Sequence, residues 1–304
     1  MPFRPWREAW HEALYGAAGF FMGGRPAEHF RTSVTASPIF AEAVARAAAD
    51  EGLRHVVDVG AGGGELLTHL HRIDPGLDLT GIDLAGRPAG LPAAAGWSAE
   101  LPAAFDGLLI ANEWLDNVPC KVVEVDELGT VREVLVDQTT GEEQFGDVVE
   151  SEWLDAWWQL TDPGDRAEIG QARDDAWADA VSRVNGLAIA IDYGHLADAR
   201  PPYGSLTSFA EGRELDVIPD GSRDITAHVA VDAVAERVGG CLERQRDALA
   251  RLGVSGSRPH LELATNDPPE YVRQLSRASE AAELRARGGL GDFWWIVTDT
   301  RVRD

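Results

Sequence analysis

Residues Val56–Leu66 read VVDVGAGGGEL, and this stretch decides the fold of the chain. It overlaps a short apolar, β-branched run, His55–Val59, that is typical of a buried parallel strand. Three glycines follow at alternate positions: Gly60, Gly62 and Gly64. Glycine allows positive φ and close approach of the main chain to a ligand, and the helix predicted over Glu65–Ile73 begins with unpaired N–H groups. The pattern therefore predicts a ligand-binding turn at the carboxyl end of a strand.

The spacing of the glycines discriminates between nucleotide cofactors. A nicotinamide fingerprint, G-x-G-x-x-G counted from Gly60, requires a glycine at position 65, where this chain has Glu65. An acidic side chain there repels a pyrophosphate but suits S-adenosylmethionine, which has no phosphate and carries a positive sulfonium. Asp83 ends the next predicted strand, Leu79–Leu84, where its carboxylate can accept hydrogen bonds from both ribose hydroxyls. The turn and Asp83 together predict S-adenosylmethionine as cofactor, with a purely structural turn as the alternative.

Buried strands alternate with helices along most of the chain. Further strands are predicted at Gly107–Ala111, Gly186–Ile191 and Gly291–Thr298, and a hairpin at Val122–Val125 and Val131–Val136. Helices are predicted at Pro38–Asp50, Asp174–Val184, Ile225–Val238 and Pro269–Arg287, and a long loop over 195–223. The alternation predicts an α/β fold with a Rossmann-like, mostly parallel sheet and an antiparallel edge strand. We expect an N-terminal cap over 1–37, a core over 38–120 and 183–304, and a hairpin and helical insertion over 121–182.

Composition and charge exclude several classes of function. The 304 residues carry a formal net charge of −24, which disfavours binding to nucleic acid and is compatible with a cationic substrate. The two cysteines, Cys120 and Cys241, form neither a disulfide framework nor a metal cluster. No apolar run is long enough to span a membrane, and no secretory signal follows Met1–Arg7. We therefore expect a cytoplasmic protein without a metal site.

Five blocks of sequence, in one order, resemble the MidA-like family of methyltransferases. They are Phe30–Phe40 (FRTSVTASPIF), Val57–Leu66, Ile110–Pro119 (IANEWLDNVP), Ala190–Gly194 (AIDYG) and Asp224–Val229 (DITAHV). That family includes a mitochondrial assembly factor that methylates an arginine of a respiratory complex I subunit. The resemblance implies a seven-stranded class I methyltransferase fold, S-adenosylmethionine as cofactor, and a protein side chain, arginine foremost, as acceptor. Within the first block, Thr32 and Ser33 are expected to form a lid over the cofactor, with packing in a cap as the alternative.

Candidate catalytic residues follow the third predicted strand. A guanidinium is almost always protonated, so a site that methylates it needs carboxylates to hold it and to orient one nitrogen. Asn112, Glu113 and Asp116 lie just after Gly107–Ala111, at the edge of the sheet where sites of this fold lie. If a helix begins there, Glu113 and Asp116 share one face. We assign Glu113 to the acceptor, Asp116 to its support and Asn112 to the cofactor; alternatively, Asn112 only caps that helix.

Two more segments are expected at the same edge. Asp192 ends the strand Gly186–Ile191 and is assigned to the acceptor or to orienting a neighbour, with a self-stabilised turn as the alternative. His228 is assigned to proton transfer near neutral pH, together with Asp224 and Thr226 in the lining. Against this, Asp224 suits a helix N-cap, and an isolated histidine is usually structural.

Three other functions compete with a protein methyltransferase. The first is a scaffold or assembly protein that binds S-adenosylmethionine without catalysis, and the second is a small-molecule methyltransferase. The third, a nicotinamide oxidoreductase, is disfavoured because Glu65 replaces the third fingerprint glycine. Binding of S-adenosylmethionine without methyl transfer would favour the scaffold.

Overall fold

The computed structural model describes residues 3–23 and 33–301. A seven-stranded sheet forms its centre. Its strands, in order across the sheet, are β16 (Cys241–Arg244), β17 (Trp294–Asp299), β10 (Val184–Asp192), β5 (Phe105–Asn112), β2 (His55–Val59), β3 (Asp78–Ile82) and β4 (Gly96–Ser98). The five strands from β10 to β4 are parallel, and β17 and β16 are antiparallel to their neighbours. The predicted parallel sheet with an antiparallel edge is confirmed, and that edge contains two strands.

Helices cover both faces of this sheet. The helices of the described chain are α1 (Trp6–Tyr15), α2 (Ser33–Ala36), α3 (Pro38–Asp50), α4 (Glu65–Ile73), α5 (Glu152–Trp157), α6 (Gln171–Val181), α7 (Val231–Val238), α8 (Gln245–Arg251), α9 (Leu261–Asn266) and α10 (Pro268–Leu284). Alternate residues of each strand face opposite ways. Leu108 and Ile110 therefore pack with α3, α4, α8 and α10, while Leu109 and Ala111 pack with α6 and α7.

Several predicted elements agree residue by residue with the structure. β2, α3 and α4 have the predicted bounds. The Ser37 hydroxyl caps α3 by accepting a hydrogen bond from Ile39 N at 3.1 Å, and Pro38 occupies the first helical position, as predicted. These elements depend on short-range signals, namely a β-branched run, a cap and a glycine turn.

The segment 121–182 contributes most strands of a second sheet, where a hairpin followed by helices was predicted. Its strands are β1 (Arg4–Pro5), β6 (Lys121–Val125), β7 (Val131–Val136), β8 (Glu143–Val148) and β9 (Arg166–Ile169). The predicted hairpin is present as β6 and β7, and the expected helices reduce to α5 and α6. α1 packs its Trp6, Trp10 and Leu14 side chains on this second sheet. Pairing between strands thus determined the secondary structure of a segment whose local composition favoured helices.

The helix predicted over Ile225–Val238 begins later, at Val231. Residues before it form β14 (Asp224–Thr226) and β15 (Val229–Ala230). β14 pairs with β12 (Thr207–Ala210), which also pairs with β13 (Arg213–Leu215), and β15 pairs with β11 (Gly194–His195). The β-branched residues Ile225, Thr226 and Val229 suit these pairings. The predicted loop over 195–223 therefore contains strands.

No helix within the described ranges combines the length and the apolar character needed to cross a membrane.

Candidate active site

A cavity of about 1100 Å³ lies at the edge of the central sheet where β2, β3, β5 and β10 end. The parallel register brings these four carboxyl ends together, so residues that follow the strands share one space. Nine residues predicted at the site line it: Gly60, Gly62, Asp83, Asn112, Glu113, Asp116, Asp224, Thr226 and His228. The side chains of His11, Tyr15 and Phe21, from α1 and the residues after it, also line this cavity.

The glycine turn is tied directly to Asp83. Gly60 and Gly62 have φ of +69° and +53°, in the region that favours glycine. Gly62 N donates to Asp83 Oδ2 at 2.8 Å, and Ala85 N donates to Asp83 Oδ1 at 2.8 Å. The turn and the carboxylate thus form one rigid unit facing the cavity.

Gly64 is not among the residues that line the cavity, and its part in binding a cofactor stays a prediction. It forms the start of α4 with φ of +73°, and a Cβ there would lie 2.6 Å from Leu91 Cδ1. The need for glycine at this position comes from packing and from backbone conformation. Its neighbour Gly63 lines the cavity instead.

Sequence reasoning missed Asp58. This residue of β2 lines the cavity beneath the glycine turn, and burial, with the charges of Asp83 and Glu65, raises its pKa well above the ordinary value. The signal was present in the sequence: an acidic residue interrupts the otherwise apolar run HVVDV. A buried carboxyl with access to a cavity is suited to a cationic ligand group.

The turn after β5 is not the start of a helix. Glu113 has φ of +52°, and no helix follows before β6. Glu113 Oε1 accepts hydrogen bonds from Ser33 N at 3.1 Å and from Asn112 Nδ2 at 3.0 Å. The predicted common helical face for Glu113 and Asp116 is therefore wrong, as is the cap by Asn112. The two carboxylates still reach the same cavity because the turn is tight.

Ser33 is buried and is not part of the cavity lining. Its hydroxyl accepts a hydrogen bond from Gln245 Nε2 at 3.0 Å, and its main-chain N–H holds Glu113. Its predicted contact with the cofactor is replaced by an indirect role through Glu113. Thr32 and Phe30 lie outside the described residues.

Asp116 has one oxygen held and one free. Oδ2 accepts from Thr226 Oγ1 at 2.7 Å and from the Tyr193 hydroxyl. Oδ1 is buried and has no hydrogen-bond partner within the described chain, and the same is true of Asn112 Oδ1. Buried oxygens without partners are unfavourable, so both atoms fit hydrogen-bond donors of a bound molecule. Tyr193, which supports Asp116 and lines the cavity, was not among the predicted site residues.

Asp192 is 1% exposed and does not line the cavity. Its Oδ2 accepts from Leu115 N at 3.0 Å and Asp116 N at 3.2 Å, and its Oδ1 accepts from Tyr193 N at 3.0 Å. Of the two roles that the sequence left open, these contacts favour the orientation of a neighbour. Asp192 orients the turn that carries Asp116.

The far wall of the cavity comes from the segment around β14. Asp224 lies in this strand and is not a helix N-cap; Asn117 Nδ2 donates to its Oδ1 at 2.8 Å. The ring of His228 lies 5.1 Å from that of Tyr193, between centroids. His228 is an exposed residue, but partial desolvation by the surrounding protein lowers its pKa, so its imidazole is neutral at neutral pH. Asp224, Thr226 and His228 all line the cavity, as predicted.

Carboxyl groups dominate the titratable lining of the cavity. Six carboxyl groups face the cavity: Asp58, Glu65, Asp83, Glu113, Asp116 and Asp224. No lysine or arginine occurs in the lining that the structure describes. Burial and the charge of Asp116 raise the pKa of Glu113 to about 7, and burial raises the pKa of Asp116. Such a cavity attracts cations, whose binding would favour the ionised carboxylates.

Glu113 is expected to make the ligand-free protein less stable as the pH rises. The pKa of Glu113 in the folded chain, about 7, exceeds the ordinary value of 4.5. Between these two pH values the folded chain therefore keeps a proton that the unfolded chain has lost. This stabilisation is complete below the ordinary pKa and is lost as the pH rises through the folded pKa. Because the side chain is only half-buried, we expect the wild type to lose about 1–2 kcal/mol more than Glu113→Gln between about pH 5 and pH 8. Urea unfolding at both pH values measures this, and equal losses would contradict it.

Comparisons with known proteins agree with this architecture. Residues 82–247, more than half of the chain, match the profile of methyltransferase family 28, described as S-adenosyl-L-methionine-dependent methyltransferases. A methyl transferase from Burkholderia thailandensis, solved with S-adenosyl-homocysteine bound, is 25% identical with a TM-score of 0.79, over 97% of this chain and 87% of that chain.

A second structure shows the same fold. It is an uncharacterised protein of the same superfamily from that bacterium, 24% identical with a TM-score of 0.77, over 99% of this chain and 90% of that one. No curated protein matches the sequence. The extent of the family match is decisive: the chain belongs to this family of S-adenosyl-L-methionine-dependent methyltransferases.

Proposed function

We propose that the cavity binds S-adenosylmethionine at the glycine turn and that the enzyme methylates an arginine side chain of a protein. The observation that carries the proposal is the juxtaposition of two features. The turn is hydrogen-bonded to Asp83, and Asp116, whose buried Oδ1 has no hydrogen-bond partner in the described chain, lines the same cavity.

The residues around the turn fit the cofactor. Asp83 would accept hydrogen bonds from the sugar hydroxyls, and Asp58 would receive the amino group of the methionine part. The cofactor supplies a methyl group that is already activated by the positive sulfonium, which an acidic cavity stabilises. The S-adenosyl-homocysteine bound by the Burkholderia thailandensis protein supports the same ligand here. The volume of about 1100 Å³ exceeds that of most small-molecule sites, roughly 300–1,000 Å³, and leaves room for an acceptor.

The acceptor end of the cavity fits a cationic nitrogen. Asp116 Oδ1 can accept a hydrogen bond from one guanidinium N–H, and Asp224 lies in the same lining. Glu113 lies in the same lining, where Ser33 N and Asn112 Nδ2 hold its Oε1, but unlike Asp116 it has no fully buried oxygen without a partner. We therefore assign the main contact to Asp116 and place Glu113 beside it, which reverses the order expected from the sequence.

Methyl transfer requires positioning and the loss of a proton from the acceptor. The carboxylates would hold the guanidinium so that one nitrogen faces the methyl group. The neutral imidazole of His228, in the same lining, can take up the released proton. A protein substrate is supported by the net charge of −24, which favours association with a basic partner.

The cofactor site is tested by titrating the protein with S-adenosylhomocysteine in a calorimeter. We expect tight binding to the wild type and an affinity at least about tenfold lower for Asp83→Asn, because the carboxylate would bind two hydroxyls and hold the turn. Asp78→Asn, at the exposed start of β3, is the matched control and should bind as the wild type does. Equal affinities for wild type and Asp83→Asn would contradict this placement.

The acceptor is tested by following a labelled methyl group. The enzyme is incubated with methyl-labelled S-adenosylmethionine and a clarified lysate, and the protein fraction is hydrolysed. Label in methylarginine supports the proposal. Label in another amino acid or only in small molecules would exclude an arginine acceptor, and binding without transfer would point to the scaffold function.

A further inference from the structure

Arg173 is a buried cation behind the wall of the cavity. It lies in the first turn of α6, and its side chain is only 1% exposed. Its guanidinium carbon lies 5.7 Å from the centre of the Trp10 ring of α1. Burial of a charged group is unfavourable unless hydrogen bonds replace those that water made. The partners of Arg173 therefore indicate what this cation does.

Its three hydrogen bonds in the described structure all end on main-chain carbonyls. Nη2 donates to Asp116 O at 2.7 Å, Nε donates to Val118 O at 3.3 Å, and Nη1 donates to His228 O at 2.8 Å. The first two oxygens belong to the turn after β5, and the third belongs to the segment after β14. The planar guanidinium can satisfy three such acceptors at once, which a lysine ammonium cannot do in the same geometry.

The two segments joined by Arg173 carry the acceptor end of the cavity. One supplies Asp116 and the other supplies Thr226 and His228, about 110 residues further along the chain. Ala227 N also donates to Asp116 O, at 3.3 Å, so this carbonyl accepts from both sides. The distance between the held oxygen of Asp116 and the Thr226 hydroxyl depends on this junction. A small shift of either segment would move the free Oδ1.

The charge of Arg173 also acts on the groups around Asp116. It opposes the effect of burial, which raises the pKa of both Asp116 and Asp192. Glu113 is a titratable neighbour of Asp116 in its own turn. Four other segments contribute further titratable neighbours: Asp192 and Tyr193 from β10 and its end, Asp224 from β14, Tyr15 from α1, and His228 from the segment after β14. Arg173, from α6, is the cation among these neighbours whose charge favours ionised Asp116.

We propose that Arg173 is a positioning residue for methyl transfer, which holds the Asp116 turn against the Thr226–His228 segment and places its positive charge against that turn. The inference rests on the proposed function, since it assumes that Asp116 contacts the acceptor. Two variants separate the effect of the Arg173 charge from the effect of its hydrogen bonds. Arg173→Lys retains the charge and loses the three-way hydrogen bonding, whereas Arg173→Met loses both. Arg183→Met, which breaks an exposed ion pair with Asp179 just after α6, is the control.

The first measurement is binding of N-acetyl-arginine amide to protein saturated with S-adenosylhomocysteine. All variants should bind S-adenosylhomocysteine within about threefold of the wild type, because Arg173 does not touch the glycine turn. We expect the arginine probe to bind about tenfold more weakly to Arg173→Met, with an intermediate loss for Arg173→Lys and none for Arg183→Met. Wild-type affinity of Arg173→Met for the probe would overturn the proposal.

The second measurement does not depend on the acceptor. Carbon-13 NMR of the aspartate carboxyls, assigned with Asp116→Asn, follows the Asp116 pKa. It should rise by about one unit in Arg173→Met and stay close to the wild-type value in Arg173→Lys. If the wild type ignores the arginine probe but the pKa moves as expected, the arginine acceptor is wrong and the role of Arg173 stands. If Arg173→Met folds and its Asp116 pKa equals that of the wild type, the role of the Arg173 charge is wrong. If Arg173→Met does not fold, Arg173→Lys is compared with the wild type: weaker binding of the arginine probe at an unchanged Asp116 pKa supports the role of the hydrogen bonds, and wild-type binding of the probe contradicts it.

Discussion

Asp116→Asn is expected to reduce methyl transfer about 10²–10⁴-fold and to leave S-adenosylhomocysteine affinity within about threefold. The amide oxygen can still accept from Thr226 and Tyr193, so the turn should keep its conformation. The amide nitrogen then replaces the free Oδ1, and its N–H groups face those of the acceptor. Charge, acceptor capacity and orientation of the reacting nitrogen are lost together, while the glycine turn is untouched.

The assay for this prediction is transfer of labelled methyl groups to lysate protein, with calorimetric binding of S-adenosylhomocysteine measured alongside. Asp147→Asn, on the exposed strand β8, has the same chemical change away from the cavity and should be fully active. Two outcomes would contradict the assignment. Transfer at the wild-type rate would remove Asp116 from the acceptor site, and parallel loss of cofactor binding would show that Asp116 supports the cofactor site instead.

Asp192→Ala is expected to lower the free energy of unfolding by about 3–5 kcal/mol and to abolish methyl transfer. The carboxyl accepts from three main-chain N–H groups, of Leu115, Asp116 and Tyr193, and alanine would leave all three buried without a partner. The same loss would release the turn that presents Asp116. Burial, with the charges of Asp116 and Glu113, raises the pKa of Asp192 well above its ordinary value, so a neutral substitute is tolerable there.

Asp192→Asn is therefore the informative partner of this variant. Its amide oxygen replaces one acceptor atom, so we expect less than half of the destabilisation of Asp192→Ala. Urea unfolding of both variants measures the difference, provided that the slopes of the transitions agree. Equal stability of Asp192→Ala and the wild type would show that water replaces the carboxyl and that Asp192 does not hold the turn.

These predictions separate binding of the cofactor from handling of the acceptor. Asp83 and the glycine turn form one unit that does not share a hydrogen bond with the Asp116, Tyr193 and Thr226 group. Variants in one unit should therefore leave the other nearly unchanged, since sites without shared partners act almost independently. Arg173 belongs to the second unit, which is why its test includes an acceptor probe.

The amino-acid sequence by itself determined the part of the cavity around the glycine turn. The bounds of β2, α3 and α4 and the position of Asp83 follow from short stretches whose periodicity, capping and glycine spacing are read within about 30 residues. The carboxyl ends of neighbouring parallel strands meet at one edge, so that rule also placed Asn112, Glu113 and Asp116 at the cavity. At Gly64 the sequence does not distinguish packing against Leu91 from ligand contact, because both require the same residue type.

Only the tertiary structure determined which residues meet around Asp116 in the other part of the cavity. Tyr193, Thr226 and Arg173 meet around Asp116 from segments separated by 50 to 110 residues, and no local pattern records such a meeting. The left-handed backbone of Glu113 and its contact with Ser33, 80 residues away, are likewise set by what surrounds them. In the segments 121–182 and 224–230, pairing with distant strands outweighed the local tendency to form helices. The physical reason is that hydrogen bonds and burial between distant segments contribute more free energy than local propensity does.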